Sequence, residues 1–426
     1  MKLMTASETC SGKGYCLPRP DSGRYWNGVP REEHMPKVFH VITKLELGGA
    51  QKVTLMTLER LPRDRYEVGL VSGPEGLLRE RAESIPDLDL FWIPTLAREI
   101  RPWKDLRAFV GLYRLFRRRR PDIVHTHSSK AGILGRWAAW LAGVPHIFHT
   151  AHGFGFNDYQ GRIGRAFYIA LERMTRPITT QAVVVSKANA GRAEELGILR
   201  PGEWILCRDA IDIREFMVTG PRRRMLADWG VPADRTLVGM VACLKPQKSP
   251  VDFVDVAARV VGQRQDVHFV LAGDGELRPA VEARIRERGV AGHVTLLGWQ
   301  RDMPEIYRNL DVFLLTSLWE GQPCVFAEAM ASGLPIVATE ADGAREAIED
   351  GVTGFVCPLR DIRELAEAVL RLVADTGLRR TMGERARSRV REFDIEASVS
   401  RLESAYRLST DPPAPPSRPA VRHEAR

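Results

Sequence analysis

The sequence has little cysteine and no long apolar run, and each shortage excludes a class of protein. Six cysteines in 426 residues, scattered and without a Cys-x-x-Cys pair, exclude a disulfide scaffold and favour a reducing compartment. No uninterrupted apolar stretch of about 20 residues occurs, so we expect no transmembrane helix. Residues 1–34 also lack the apolar core of a secretory signal. These features predict a cytoplasmic protein.

The charge is modestly basic and selects no partner by itself. Lys and Arg number 62 against 54 Asp and Glu, a net charge of +8. This excess suits an anionic substrate, an anionic membrane face or nucleic acid equally well. No RNP or zinc-finger motif accompanies it, so we predict no nucleic-acid partner.

Short apolar runs alternate with longer stretches of helical period from residue 37 onward, which is typical of parallel βαβ units. One series ends near Cys207, and a second follows the Arg-rich turn at 220–224. The chain is therefore predicted to be an α/β protein with two doubly wound, Rossmann-like domains, 35–208 and 209–390. Ligands of such folds bind outside the carboxyl ends of the strands, so we expect the site in the cleft between the domains.

The two ends of the chain follow no core pattern. Residues 1–34 are rich in Gly, Ser, Arg and Pro, which predicts a disordered extension and makes Met35 a candidate true start. Residues 391–409 are predicted to form a helix that packs back on the N-terminal domain. Residues 410–426 are predicted to be a Pro-rich disordered tail.

The most informative segment is 317–335, which follows a predicted buried strand. A tight turn at Gly321 leads into a helix predicted to start near Pro323, so its free N–H groups would face the cleft. Such a helix N-terminus offers a site for an anion such as a diphosphate. Glu320 and Glu328 lie about two helical turns apart and would accept hydrogen bonds from the hydroxyls of a sugar. Taken alone, Glu320 would also fit an acidic residue that only complements the helix dipole, and Glu328 a residue on a solvated helix face.

This segment resembles the carboxy-terminal signature of group 4 glycosyltransferases, which have the GT-B fold. The resemblance rests on Glu320, seven intervening residues and Glu328, followed by Ala-Met-Ala-Ser-Gly-Leu-Pro. Other matching segments arrive in the family's order: Glu46–Gln51, Asp122–Gly132, His149–Phe154, Lys245–Lys248 and Gly273–Gly275. The resemblance covers about 36–409 and implies two Rossmann-like domains facing a central cleft.

The resemblance implies a role for each matching residue. Glu328 would bind the ribose of a nucleotide, Glu320 the donor sugar, and Lys248 the diphosphate. His152 would contact the transferred sugar, so His152, Glu320 and Lys248 are the predicted catalytic residues. His127 and Lys130 would lie near the acceptor. The other predicted donor-binding residues are Gly48, Gly49, Lys245, Gly273, Gly321, Gln322, Pro323, Cys324 and Val325.

One position departs from the family pattern. The family carries an arginine five residues before the lysine at Lys248, where this chain has Cys243, and a thiol cannot neutralise a phosphate. Lys245 stands two residues further on, although lysine offers a point charge where arginine offers a bidentate fork. Either Lys245 takes over this role or donor affinity is weakened. Without the resemblance, both lysines would also fit a solvated loop.

Five of the ten histidines lie close together in the sequence: His125, His127, His146, His149 and His152. Such clustering raises a metal site as a rival hypothesis, because neutral imidazoles are good ligands. The histidines that follow have no motif partners, and no Asp-x-Asp motif ends a predicted strand. The resemblance likewise implies no required metal and no cofactor beyond the donor substrate.

A basic segment lies at 101–120, where eight residues are basic and one is acidic. Trp103, Leu106 and Tyr113 fall at helical spacing beside the basic face. This pattern fits a helix on an anionic membrane surface, and equally a helix with a core side and a solvated charged side. The first interpretation would place the protein peripherally at the inner face of the cytoplasmic membrane.

Together these features predict a glycosyltransferase of the hexosyltransferase type. It would move a sugar from a nucleotide diphosphate sugar to a saccharide or lipid-linked saccharide acceptor in cell-surface polysaccharide synthesis. The family implies retention of the anomeric configuration. Two alternatives stay open: a nucleotide-sugar epimerase of the same fold, and a noncatalytic GT-B scaffold that binds an acidic polymer or membrane, which Cys243 makes credible.

Overall fold

The computed structural model describes residues 35–217, 226, 228–232 and 234–410. The predicted extension 1–34, the Arg-rich turn at 220–224 and the tail beyond 410 lie outside the described residues.

The first half of the described chain forms a seven-stranded parallel sheet of order β3-β2-β1-β4-β5-β6-β7. Its strands are short apolar runs; β4, for example, is buried along its whole length, as a parallel strand covered on both faces must be. The strands are β1 (Lys37–Val41), β2 (Glu67–Ser72), β3 (Leu88–Trp92), β4 (Ile123–His127), β5 (His146–Ala151), β6 (Gln181–Val184) and β7 (Trp204–Leu206).

Six helices alternate with these strands in the described residues. The basic segment forms the longest of them, which begins with proline in its first turn and is followed by Arg120 in the left-handed conformation. The helices are α1 (Gly49–Arg60), α2 (Arg79–Glu83), α3 (Pro102–Arg119), α4 (Ser129–Ala142), α5 (Arg162–Thr175) and α6 (Lys187–Glu195).

The second half repeats the architecture with a six-stranded parallel sheet of order β10-β9-β8-β11-β12-β13. Its strands are β8 (Thr236–Val241), β9 (Val267–Ala272), β10 (Val294–Gly298), β11 (Val312–Leu315), β12 (Ile336–Thr339) and β13 (Gly354–Cys357). Its helices and the flanking ones are α7 (Ile213–Phe216), α8 (Pro250–Val261), α9 (Arg278–Glu287), α10 (Met303–Asn309), α11 (Cys324–Ala331), α12 (Ala344–Ala347), α13 (Ile362–Ala374), α14 (Thr376–Arg389) and α15 (Ile395–Thr410). The predicted pair of Rossmann-like sheets is confirmed.

The polypeptide crosses between the two halves twice, near Ile211 and near Phe393. The two crossing segments hydrogen-bond to each other. The backbone N–H of Ile211 donates to the Phe393 carbonyl at 3.0 Å, and that of Ile395 donates to the Ile211 carbonyl at 2.9 Å. After the second crossing, α15 packs against α1. Tyr406 of α15 is fully buried, with its ring edge-on to Phe148 of β5 at 4.9 Å. The last helix is therefore part of the N-terminal core.

The strand order reverses beside β1 in one sheet and beside β8 in the other. Such switch points leave a crevice at the carboxyl ends of the strands. A cavity of about 1620 Å³ lies between the two crevices and is lined from both halves, by Thr43 after β1 and by Ala242 after β8 among others. In the described residues, no helix is long and apolar enough to cross a membrane.

Candidate active site

Two helix N-termini meet across the cavity. Helix α1 begins at Gly49 and α11 begins at Cys324, and both residues line the cavity. They are close: a Cβ built on Gly49 would lie 3.2 Å from the Cys324 Sγ. Each N-terminus carries free N–H groups and about half a positive charge, so their convergence creates a strong field for an anion. This geometry suits a diphosphate.

The turn before α11 packs directly on the N-terminal half. A Cβ built on Gly321 would lie only 2.0 Å from the backbone oxygen of His152, so only glycine allows this approach. The next side chain, Gln322, is buried and lines the cavity, and its Oε1 has no hydrogen-bond partner among the described residues. Pro323 caps α11, and Val325 also lines the cavity.

The Glu320 side chain is 8% exposed, and two residues of the loop that follows β8 hydrogen-bond to its carboxylate. Its Oε1 accepts a hydrogen bond from Lys248, and its Oε2 accepts one from Gln247 Nε2 at 3.3 Å. Both partners belong to the 3₁₀ turn Pro246–Lys248, which follows β8. The carboxylate and the ammonium therefore stand side by side at the cavity wall, where one can accept from a hydroxyl and the other can neutralise a phosphate.

Glu328 lies on the second turn of α11 and is 4% exposed. Its Oε2 accepts a hydrogen bond from the Tyr307 hydroxyl at 2.7 Å, while its Oε1 lies 4.0 Å from Lys52 Nζ on α1. Burial, and then the charge of Glu328, raise the pKa of Tyr307 well above its usual range, so the phenol stays a donor. One carboxylate oxygen is thus anchored, and the other faces a lysine of the N-terminal half.

The remaining predicted donor-side residues lie along the same wall. Gly48, Lys245 and Gly273 all line the cavity, as does Cys243. Gly273 has a φ of +135°, and a Cβ there would lie 1.9 Å from the Ala242 carbonyl oxygen, so the loops after β8 and β9 require glycine at this point. The structure therefore brings the predicted donor-binding residues together around one cavity.

The predicted histidine and acceptor residues are placed differently. His152 lines the cavity, and both of its ring nitrogens have protein partners: Nδ1 is 2.7 Å from Asp209 Oδ1, and Nε2 is 3.0 Å from His127 Nδ1. His127 is buried behind it, and burial holds its pKa well below the usual range. Lys130 pairs with Asp105 at 2.5 Å and donates to the Glu99 carbonyl. Neither His127 nor Lys130 lines the cavity, so their acceptor roles stay predictions.

Sequence reasoning missed three side chains that the fold brings to this site. Lys52 approaches Glu328 from α1, Gln247 binds Glu320, and Asp209 binds His152. Asp209 could have been suspected because it follows β7 at the carboxyl end of the sheet. Gln247 lies inside the matching segment 245–248, which could have drawn attention to it, whereas an isolated lysine such as Lys52 is ordinarily solvated.

Comparison with known proteins agrees with the fold and the cavity. The family model "Glycosyl transferases group 1" matches residues 221–389, and "Glycosyl transferase 4-like domain" matches 48–205. An Escherichia coli protein, UDP-Gal:alpha-D-GlcNAc-diphosphoundecaprenol alpha-1,3-galactosyltransferase, is 31% identical over 87% of this chain and 96% of its own length. The Staphylococcus aureus capsular polysaccharide biosynthesis glycosyltransferase CapM is 23% identical over the same shares, 87% and 96%.

Among solved structures, Anabaena HepE in complex with UDP and glucose superimposes with a TM-score of 0.76 at 21% identity. The match covers 88% of this chain and all of that one. This likeness shows the GT-B fold alone. Because the two family models and a full-length relative agree, the chain belongs to the group 1 glycosyltransferases and is a glycosyltransferase with the GT-B fold.

Proposed function

We propose that this enzyme transfers a hexose from a UDP-sugar to a hydroxyl of a lipid-linked saccharide, with retention of configuration and without a bound metal. The observation that carries the proposal is the pair of helix N-termini that meet at Gly49 and Cys324, beside Lys248. The donor class is supported by HepE, which was solved with UDP and glucose, and the acceptor class by the Escherichia coli relative, whose name specifies a diphosphoundecaprenol-linked sugar.

The chemistry proposed for the cavity is positioning and charge stabilisation. The bond between the anomeric carbon and the diphosphate oxygen breaks, the acceptor oxygen bonds to that carbon, and the acceptor proton leaves with the nucleoside diphosphate. The helix N-termini, Lys248 and Lys245 would take up the negative charge that develops on the leaving diphosphate. Glu328 would hold the ribose and Glu320 the sugar, which keeps the reacting atoms in line.

The first experiment is a donor panel. Purified protein is incubated with UDP-, GDP-, ADP- and dTDP-hexoses, with and without a polyprenol-diphosphate-linked sugar, and release of nucleoside diphosphate is followed. We expect release from one UDP-sugar, accelerated by the acceptor and unchanged by excess EDTA. Release from none of these donors would contradict the proposed reaction, and loss of release in EDTA would contradict the metal-free site.

We further propose that α3 rests on an anionic membrane, which would bring the cavity to a lipid-linked acceptor. Trp103 is 78% exposed and Leu106 is 53% exposed, and the exposed Arg101, Lys104 and Arg107 lie next to them. Three further arginines lie in the last turn of the helix. Exposed apolar groups beside arginines match the boundary of an anionic bilayer.

Vesicle binding tests this surface. We expect the protein to sediment with vesicles that contain anionic phospholipid and not with neutral vesicles. The double variant Arg117→Glu/Arg118→Glu should weaken sedimentation at least tenfold, since each basic residue near the surface contributes about 1 kcal/mol. Leu408→Ser, at an exposed position on α15, serves as the control and should bind like the wild type. Equal sedimentation with both vesicle types would contradict the proposal.

A further inference from the structure

A chain of hydrogen-bonded side chains runs from the cavity into the N-terminal core. At the cavity, Asp209 Oδ1 lies 2.7 Å from His152 Nδ1. His152 Nε2 lies 3.0 Å from His127 Nδ1, and His127 Nε2 lies 2.9 Å from His40 Nδ1. Each imidazole thus uses both ring nitrogens to reach the next group. These three histidines come from three neighbouring strands: His152 follows β5, His127 ends β4 and His40 lies in β1.

The chain continues through the last helix of the protein. His40 Nε2 lies 3.2 Å from the Tyr406 hydroxyl, which also contacts His125 Nδ1. His125 Nε2 lies 2.7 Å from Thr150 Oγ1. We call the whole set the imidazole chain; its members are Asp209, His152, His127, His40, Tyr406, His125 and Thr150. His40, His125 and Tyr406 are fully buried, so water does not compete for these bonds.

Three members, His40, His125 and His127, offer nitrogens within 4.8 Å of one another, which would admit a metal ion. Their ring planes argue against one. His127 is stacked on His40 at 5.0 Å and 18°, and on His125 at 4.5 Å and 20°. Imidazole lone pairs lie in the ring plane, so stacked rings point them side by side, whereas a tetrahedral site needs them to converge. The short bond from His40 to His127 also occupies two of these nitrogens.

The direction of every bond in the chain follows from the Asp209 end, together with the neutral state of the buried rings. Burial lowers the pKa of His40 to about 3 and holds those of His125 and His127 well below the usual range, so these rings are neutral. A neutral imidazole has one donor and one acceptor, and a carboxylate only accepts. The carboxylate of Asp209 therefore places the His152 proton on Nδ1.

From that end, each bond dictates the next. His152 Nε2 must accept from His127 Nδ1, and His127 Nε2 must accept from His40 Nδ1. His40 Nε2 then accepts from the Tyr406 hydroxyl. The Tyr406 oxygen accepts from His125 Nδ1, and His125 Nε2 accepts from the Thr150 hydroxyl. All four histidines carry their proton on Nδ1, and every donor points toward the cavity.

We propose that His127, His40 and Tyr406 are positioning residues for His152: while Asp209 fixes the proton on Nδ1, they supply and hold the N–H donor that Nε2 accepts, which fixes the ring against the turn at Gly321. The inference rests on the proposed function and on the place beside the transferred sugar that the family resemblance implies for His152. It also assigns a role to α15, because Tyr406 of this helix is linked through His40 and His127 to His152 at the cavity wall.

The test is the tautomer of each histidine in the full chain. Two- and three-bond ¹H–¹⁵N correlation spectra of ¹⁵N-histidine-labelled protein at neutral pH distinguish Nδ1–H from Nε2–H. We expect the Nδ1–H form for His40, His125, His127 and His152, assigned by single His→Gln variants, although free histidine prefers Nε2–H. Nε2–H forms throughout the chain would overturn the proposal, and so would spectra of metal-bound rings after zinc addition.

Tyr406→Phe removes one hydroxyl from the chain and keeps the packed ring. We expect His125 to lose its single tautomer, because its Nδ1 loses the Tyr406 oxygen as acceptor, and kcat to fall about 3- to 10-fold, with KM for the donor little changed. Tyr168→Phe on α5 makes the same change away from the chain and should alter neither. His127→Gln, whose amide can both donate and accept, should retain more activity than His127→Leu.

The two proposals fail in different ways. If no donor turns over while the four Nδ1–H tautomers are present, the reaction assigned to the cavity is wrong and the chain stands. If the enzyme is active but Tyr406→Phe leaves kcat and all tautomers unchanged, the positioning role is wrong and the reaction stands.

Discussion

Glu320→Gln is expected to lower kcat/KM by about 10²- to 10³-fold, the cost of removing one preorganised polar group from an enzyme site. The substitution keeps the shape of the side chain but removes the charge that Lys248 and Gln247 hold in place. Lys248 would lose its partner at the cavity wall, and the sugar hydroxyls would lose a charged acceptor. Release of nucleoside diphosphate at saturating and limiting donor measures the effect.

Glu367→Gln is the matched control. Glu367 lies on an exposed face of α13, paired with Arg363, so its substitution should leave turnover and the melting temperature unchanged. Wild-type turnover in folded Glu320→Gln would remove Glu320 from the predicted catalytic set. A matching loss in both variants would point to a nonspecific charge effect.

Gly321→Ala is expected to reduce turnover by about 10²-fold. The loss would come from displacement of the turn that precedes α11, since no functional group is removed. The added methyl would stand 2.0 Å from the backbone oxygen of His152, where real Cβ atoms stay beyond about 3 Å. The turn must therefore move by about 1 Å, away from the N-terminal half. A misplacement of that size in a positioning site costs about 10²-fold.

Gly292→Ala separates this effect from the general cost of replacing glycine. A Cβ at Gly292 would meet nothing within 4 Å, and its φ lies outside the left-handed region. We expect that variant to match the wild type in rate. Full activity of Gly321→Ala would mean that the turn does not pack against His152 during turnover, and the donor site proposed at this turn would be wrong.

Much of the fold could be predicted from local patterns in the sequence. Apolar runs that alternate with helical stretches predicted both sheets, because a parallel strand buried on two faces must be apolar along most of its length. The strand, turn and helix around Gly321 were predictable for the same local reason, and the spacing of Glu320 and Glu328 carried the family resemblance. The family, the GT-B fold and the glycosyltransferase class are confirmed by the comparisons.

The partners of these residues could not be found in the same way. Glu328 meets Lys52 across the cavity, and Tyr406 meets His40 from the far end of the chain, 366 residues away. The family resemblance implied a place near the acceptor for His127, and the structure buries its side chain behind His152. Whether a side chain at a strand end faces the cavity or the core depends on what packs around it, here the rings of His40, His125 and His152.

The sequence by itself thus determined the elements, their order and the two carboxylates of the signature, since strand burial, turn chemistry and helix N-termini act over a few residues. Tertiary structure alone decided which charges meet and which histidines are neutral. Those properties depend on the distances between groups and on their exclusion from water, and both arise only when the two crossings and α15 bring distant segments together.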